Sequence, residues 1–218
     1  MFRKRYGFVS LAITVGLLAG CGSSATETIY EHLESAVELE EPFVSNQQAL
    51  QEAEEREYEL YEQMITTGTD DLVEIEQLAD EAITSIEQRQ ELIEEEKESI
   101  EQSKEEFDRI NEAATELDQE ELVELVTRLE EEMNNRFDAY HGLYTNYIEA
   151  MGEDRTLFEL LKDEELSIDE LQAQINTVNE QYEVVEQYKE SFNEHTQKYN
   201  QLKRDFYEKA ELEVQYEE

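Results

Sequence analysis

The chain has 218 residues, with 58 Asp and Glu against 17 Lys and Arg, a net charge of −41 at neutral pH. Such a surface repels polyanions: nucleic acid is excluded as a partner, and direct attraction to anionic wall polymers or acidic headgroups requires a local basic patch or bridging divalent cations. A single cysteine, Cys21, rules out an intramolecular disulfide, so the body must be stable through packing alone.

In chain order, residues 1–20 read as a secretion signal. Arg3, Lys4 and Arg5 form a basic start, Phe8 to Leu17 form an apolar run too short and too interrupted to span a bilayer, and Leu18-Ala19-Gly20-Cys21 forms a lipobox. These residues resemble bacterial lipoprotein signal peptides. The resemblance implies cleavage before Cys21, acylation of its thiol (palmitate) and new amino group, and a mature chain anchored on the outer face of the cell membrane. Several acyl chains make such an anchor stable, each buried methylene contributing about 0.8 kcal/mol. Without residues 1–20, 14 basic residues remain against 58 acidic ones, a net charge of −44. Residues 21–26 are then the acylated cysteine and a short tether, and 27–218 the folded domain.

The mature chain from Cys21 has one proline, Pro42, and four glycines, Gly22, Gly68, Gly142 and Gly152. With Glu, Gln, Leu and Ala abundant, this is the composition of long helices. The first helix is predicted over 27–66, with Ile29, Ala36, Phe43, Leu50 and Met64 in heptad register, Glu57 interrupting them and Pro42 kinking or splitting the segment. Thr66 to Asp71 is a break, where Gly68 can close one helix and an Asp can cap the next. The second helix, 71–116, carries Leu72, Ala79, Ile86, Ile93, Ile100, Phe107 and Ala114 at strict seven-residue spacing. The companion positions Arg89, Glu96 and Ser103 are hydrophilic and are expected to face water, the alternative being that they bind something. A third helix, 119–164, follows an acidic capping box of Asp118 and Glu121, and a fourth, 168–214, follows Ser167 and Glu170. Its stripe is Leu171, Val178, Val185, Phe192, Tyr199 and Phe206. The pairs Glu105 with Arg109, Glu124 with Arg128 and Asp205 with Lys209 are expected on exposed faces.

Short connections force consecutive helices antiparallel. The fold class expected is therefore all-α: an elongated antiparallel bundle of about four long helices, spectrin-like or a coiled-coil rod, each helix roughly 65 Å long.

Reactive chemistry is sparse. There is no Gly-x-Ser-x-Gly elbow, no His-Glu-x-x-His zinc helix, no P-loop, no Rossmann fingerprint and no calcium loop, and His32, His141 and His195 stand apart in sequence. No enzyme activity, cofactor or metal is expected. Most of the eleven tyrosines after Cys21 fall at core spacing. One segment departs from the general acidity: between Gln187 and Ala210, Lys189, Lys198, Lys203, Arg204 and Lys209 outnumber Glu190, Glu194, Asp205 and Glu208. Lys189, Lys198, Lys203 and Arg204 are the candidate wall-contact residues, set against the alternative that this helix simply pairs its cations with acidic neighbours.

The lipobox, the Glu-rich helical body, Ile29-Tyr30-Glu31-His32-Leu33-Glu34 and Glu40-Glu41-Pro42-Phe43 together resemble the YkyA-type cell-wall-binding lipoproteins of Gram-positive bacilli, over essentially the whole chain. The resemblance implies a membrane-anchored, non-catalytic protein at the cell wall and supplies no site residue beyond Cys21. The function expected is a lipid-anchored extracytoplasmic helical protein that binds the wall or acts as a spacer. The alternatives are a helical scaffold or regulator of a membrane or wall-synthesis protein and, lower, a ligand-binding lipoprotein of a transporter. Its partners are the membrane through the anchor and, as candidates, wall polymer or a protein.

Overall fold

Residues 24–68, 71–212 and 214 are described by a computed structural model; Cys21 and the rest of the lipobox lie outside them. Six helices follow in order: α1 Ala25–Glu38, α2 Glu41–Thr67, α3 Leu72–Phe107, α4 Ile110–Ala114, α5 Glu120–Leu161 and α6 Ile168–Lys209.

Local chemistry accounts for most boundaries. Ser24 opens α1 with a capping box closed by Glu27, and Ser167 opens α6 in the same way with Glu170. Pro42 stands in the first turn of α2, so the predicted first helix is split rather than kinked, with Leu39 and Glu40 as the joint. Gly68, at φ 59°, closes α2, and the Asp71 carboxylate accepts from the amide of Glu74 at the start of α3.

Two expectations fail. The second helix is interrupted at Asp108 and Arg109, where the amides of Arg109, Asn111 and Glu112 bond three residues back rather than four. Three-residue winding puts Phe107, Ile110 and Ala113 on one face, and all three are buried. The Asp118–Glu121 capping box does not form either: Gln119 is the N-cap of α5, without a side-chain hydrogen bond, and Glu120 and Glu121 complement the helix dipole instead.

Side-chain contacts set the topology. Going up α2 from Gln47 to Arg56, the partners descend α3 from Glu96 to Glu81. Asp80, Glu87 and Glu94 of α3 meet Lys162, Arg155 and Tyr144 of α5. Glu132, Asn146 and Glu153 of α5 meet His195, Gln181 and Gln174 of α6. Each pair is antiparallel, so the long helices run up, down, up and down, with α1 continuing α2 toward the end where α6 finishes. Ser24 therefore marks one end of the rod and the α2–α3 and α5–α6 turns the other.

The heptad stripes are the core. Ala79, Ile86, Ile93, Ile100 and Phe107 are buried, as are Val126, Leu129 and Met133 of α5 and Val185, Phe192, Tyr199 and Phe206 of α6. Most of the tyrosines join them, Tyr140, Tyr147, Tyr199 and Tyr207 being buried and Tyr188 exposed. Two of the exposed-face ion pairs are replaced: Arg109 pairs with Glu106 and Lys209 with Glu121.

Candidate functional site

The hydrophilic positions of α3 do not face water. Arg89, Glu96 and Ser103 are 0, 1 and 1% exposed. They continue a seven-residue series whose other members, Ile75, Ala82 and Ile110, are also buried, so the register that places those side chains inside carries the polar ones with them. Glu57, the residue that interrupts the first stripe, is buried for the same reason. Complementary polar groups meet them at matching heights.

At the level of Arg89, Nη2 lies 2.7 Å from Asp154 Oδ2 and 2.9 Å from Glu57 Oε2. Nη1 donates to the hydroxyls of Tyr147 and Tyr182 at 3.2 and 3.1 Å, and these donate in turn to Glu54 and Asp154. One guanidinium thus faces several carboxylates. Burial pushes the Glu57 carboxyl up to about 7, against the attraction of Arg89.

One level along, Gln47 Nε2 donates to Glu96 Oε1 at 2.8 Å, and burial pushes that carboxyl up to about 8. Next, the fork of Arg136 grips Glu40 at 2.8 and 2.6 Å, Ser103 donates to the same carboxylate, and the guanidinium stands 4.7 Å over the Phe192 ring. Nearest the Ser24 end, Lys203 Nζ lies 3.1 Å from Glu34, which also accepts from the Tyr207 hydroxyl. Burial raises the Tyr207 hydroxyl above its ordinary range.

These four levels draw on every long helix, and their chemistry is structural. The charged groups pair with one another inside the bundle. A helix shifted by one heptad would leave them buried and unpaired, at a cost of several kcal/mol, so the ladder opposes slippage that apolar stripes alone would tolerate. Its sequence signal is a second series, Glu40 at the joint and Gln47 and Glu54 on α2, spaced by seven and matched to Ser103, Glu96 and Arg89.

The candidate wall-contact residues separate in the structure. Lys203 is 3% exposed and belongs to the ladder, so it is not available at the surface. Lys198 is exposed and Lys189 half-buried, and they pair with Glu194 and Glu186 of their own helix. Arg204 is exposed and makes no ion pair among the described residues. Lys198 also borders a shallow cavity of about 220 Å³ with Arg128, Glu131, Glu132, Gln201 and Asp205, a lining of mixed charge. His32 and His195 each lie 2.7 Å from a carboxylate, of Glu106 and Glu132 respectively, and His141 lies 3.9 Å from Glu101. No group of three or more His, Cys, Asp or Glu among the described residues is placed to hold a metal ion.

With this geometry in view, residues 24–209 match the family model of YkyA, described as "Putative cell-wall binding lipoprotein". The chain belongs to the YkyA family. The match spans the bundle from the α1 cap to the end of α6. The chain is also 32% identical over 195 residues to the "Uncharacterized lipoprotein YkyA" of Bacillus subtilis (strain 168), covering 89% of this chain and 87% of that one. Among solved structures, a conserved protein of unknown function from Staphylococcus aureus has the same fold: TM-score 0.75 at 16% identity, over 83% of this chain and 91% of that one. That likeness concerns the fold alone. Lipoprotein is the word that the family model and the Bacillus relative share; cell-wall binding stands in the description of the family model alone.

Proposed function

We propose that this protein is a non-catalytic, lipid-anchored spacer on the outer face of the cell membrane, attached through Cys21 and reaching toward the cell wall. Membership of the YkyA family carries this reading. The geometry supports it in two ways. The capping box at Ser24 begins the rod three residues after Cys21, and α2 ends roughly 65 Å farther along the axis, taking 1.5 Å per residue, so an anchored chain carries its far end well clear of the headgroups. No helix among the described residues is long and apolar enough to cross a membrane, which is compatible with attachment through a lipid at Cys21.

If wall contact is direct, Lys189, Lys198 and Arg204 are the surface cations of the least acidic stretch and carry it. If divalent cations bridge two polyanions, these residues are dispensable. Fractionation after labelling with a fatty-acid analogue tests the anchor: Cys21→Ala abolishes labelling and membrane retention, and normal labelling of the variant refutes it. Sedimentation with purified wall tests the contact. Loss of binding in a triple Lys/Arg→Glu variant supports the direct route, loss with chelator supports bridging, and failure to sediment under any salt or cation condition refutes wall binding.

A further inference from the structure

In a closed bundle of four helices each helix packs against two neighbours. Here α3 packs closely on α2, α5 on α3 and α6 on α5, but α2 and α6, which would complete the ring, make no comparable backbone approach. In the half nearer Ser24 large side chains close this side of the bundle: Phe43 of α2 packs edge-on against Phe192 of α6 at 5.5 Å, and beyond it Glu34 of α1 bonds Lys203 and Tyr207 of α6. In the far half Leu60 and Met64 of α2 share the core with Val185 and the half-buried Leu171 and Tyr182 of α6, while Tyr58, Ile65 and Ile168 stay exposed outside it. The buried residues of α6 begin only at Val185, although Ile168, Leu171, Ile175, Val178 and Tyr182 extend the same three-and-four spacing to the start of the helix.

The flanks can be assigned from their partners. Asn46 and Arg56 turn one side of α2 to α3, so Tyr58 and Ile65, outside the core-facing positions, lie on its other flank. Gln174 and Gln181 turn one side of α6 to α5, so Ile168 and Ile175 lie opposite, toward α2. Tyr58 and Ile65 are 64 and 44% exposed and Ile168 is 84% exposed. The far half of the seam is thus lined from both helices by apolar side chains at heptad spacing, the imprint left for one more helix.

Its edges determine which helix fits. Between Ile168 and Lys189, α6 carries Asp169, Glu170, Glu180, Glu183 and Glu186 and no Lys or Arg. Along α2 the same stretch has Glu54, Glu55, Glu59 and Glu62, and its single cation, Arg56, is held by Glu81 and Glu59. A second copy of this chain would set these acidic edges against each other, and like charges flanking a coiled-coil seam oppose pairing.

We propose that the seam between α2 and α6, in the half of the bundle remote from Ser24, docks an amphipathic helix of a partner protein with apolar residues at heptad spacing and Lys or Arg along both edges. The surface does not include Lys198 or Arg204, and it supplies the bundle with a protein partner whether or not it touches wall.

The probe is a synthetic helix about three heptads long with Leu at a and d and Lys at e and g, offered to the full-length protein in phosphatidylcholine vesicles at physiological ionic strength, where long-range attraction is screened beyond about 8 Å. Two control helices carry Glu at e and g, or Ala at a and d. The Lys/Leu helix binds, both controls bind at least tenfold more weakly, and the exposed-site double variant Tyr58→Glu, Ile168→Glu weakens binding at least tenfold with an unchanged circular dichroism spectrum. Failure of the Lys/Leu helix to bind overturns the proposal. So does equal binding of either control, or equal binding to the double variant, which would place the helix elsewhere on the acidic surface. Self-association lost in the double variant would make a second copy the occupant and overturn it too.

Discussion

Arg89 and Asp154 lie 65 positions apart in the chain and 2.7 Å apart in the middle of the bundle, the guanidinium fully removed from solvent. Removing one partner from a buried ionic cluster strands the others, whereas replacing the whole cluster with apolar side chains is often neutral. Arg89→Met is therefore expected to destabilise the bundle by about 3–5 kcal/mol, and the triple variant Arg89→Met, Glu57→Leu, Asp154→Leu to recover most of that loss. Urea unfolding followed by circular dichroism measures both; a triple variant as unstable as the single one would contradict the account.

The Glu96 carboxyl titrates at about 8 in the fold and near 4.3 in an unfolded chain. Between those values the native state keeps a proton that the unfolded state has released, so stability is highest below the unfolded value and falls as pH rises to about 8. Glu57, raised to about 7, acts with the same sign. Glu96→Gln is expected to flatten the decline and to be more stable than the parent at pH 9, by a few kcal/mol at about 1.4 kcal/mol per pH unit. Parallel slopes for parent and variant between pH 5 and 9 would show that Glu96 does not hold its proton.

Gly142 and Tyr188 form a close crossing of α5 and α6, since a Cβ at Gly142 would lie 2.1 Å from Cε1 of Tyr188. The ring is partly exposed and can swing out, so Gly142→Ala alone trades a helix-propensity gain of about 1 kcal/mol against the displaced ring. In a Tyr188→Ala background the same substitution meets no ring and stabilises by about 1 kcal/mol. A double-mutant cycle should give a coupling above about 0.5 kcal/mol, and simple additivity would disprove the contact.

Ile93 is buried in the α3 stripe, while Glu95 is exposed and accepts from Asn46 Nδ2 at 3.3 Å. Ile93→Asp buries an unpaired charge and costs several kcal/mol, and Glu95→Lys costs little. Thermal melts monitored by circular dichroism compare them, and similar shifts would mean that the stripe is not the core.

Periodicity, capping residues and the few glycines and proline determined the helices, their approximate limits and their antiparallel order, because a seven-residue apolar repeat with Ser-x-x-Glu starts and a Gly stop is a local signal that neighbours need not complete. The lipobox determined the expectation of an anchor at Cys21 in the same local way. The tertiary structure alone decided what Arg89, Glu96, Ser103 and Glu57 do. Their spacing says that they lie on a core-facing stripe and their chemistry says water, and the conflict resolves only when Asp154, Gln47, Glu40 and Arg136 arrive from other helices to satisfy them. Packing likewise withdrew Lys203 from the surface by pairing it with Glu34, 169 positions away, and left the seam beside Ile168 uncovered. A charge is cheap in the interior only where its counter-group is already waiting, and that meeting is a property of the assembled bundle rather than of any one stretch of chain.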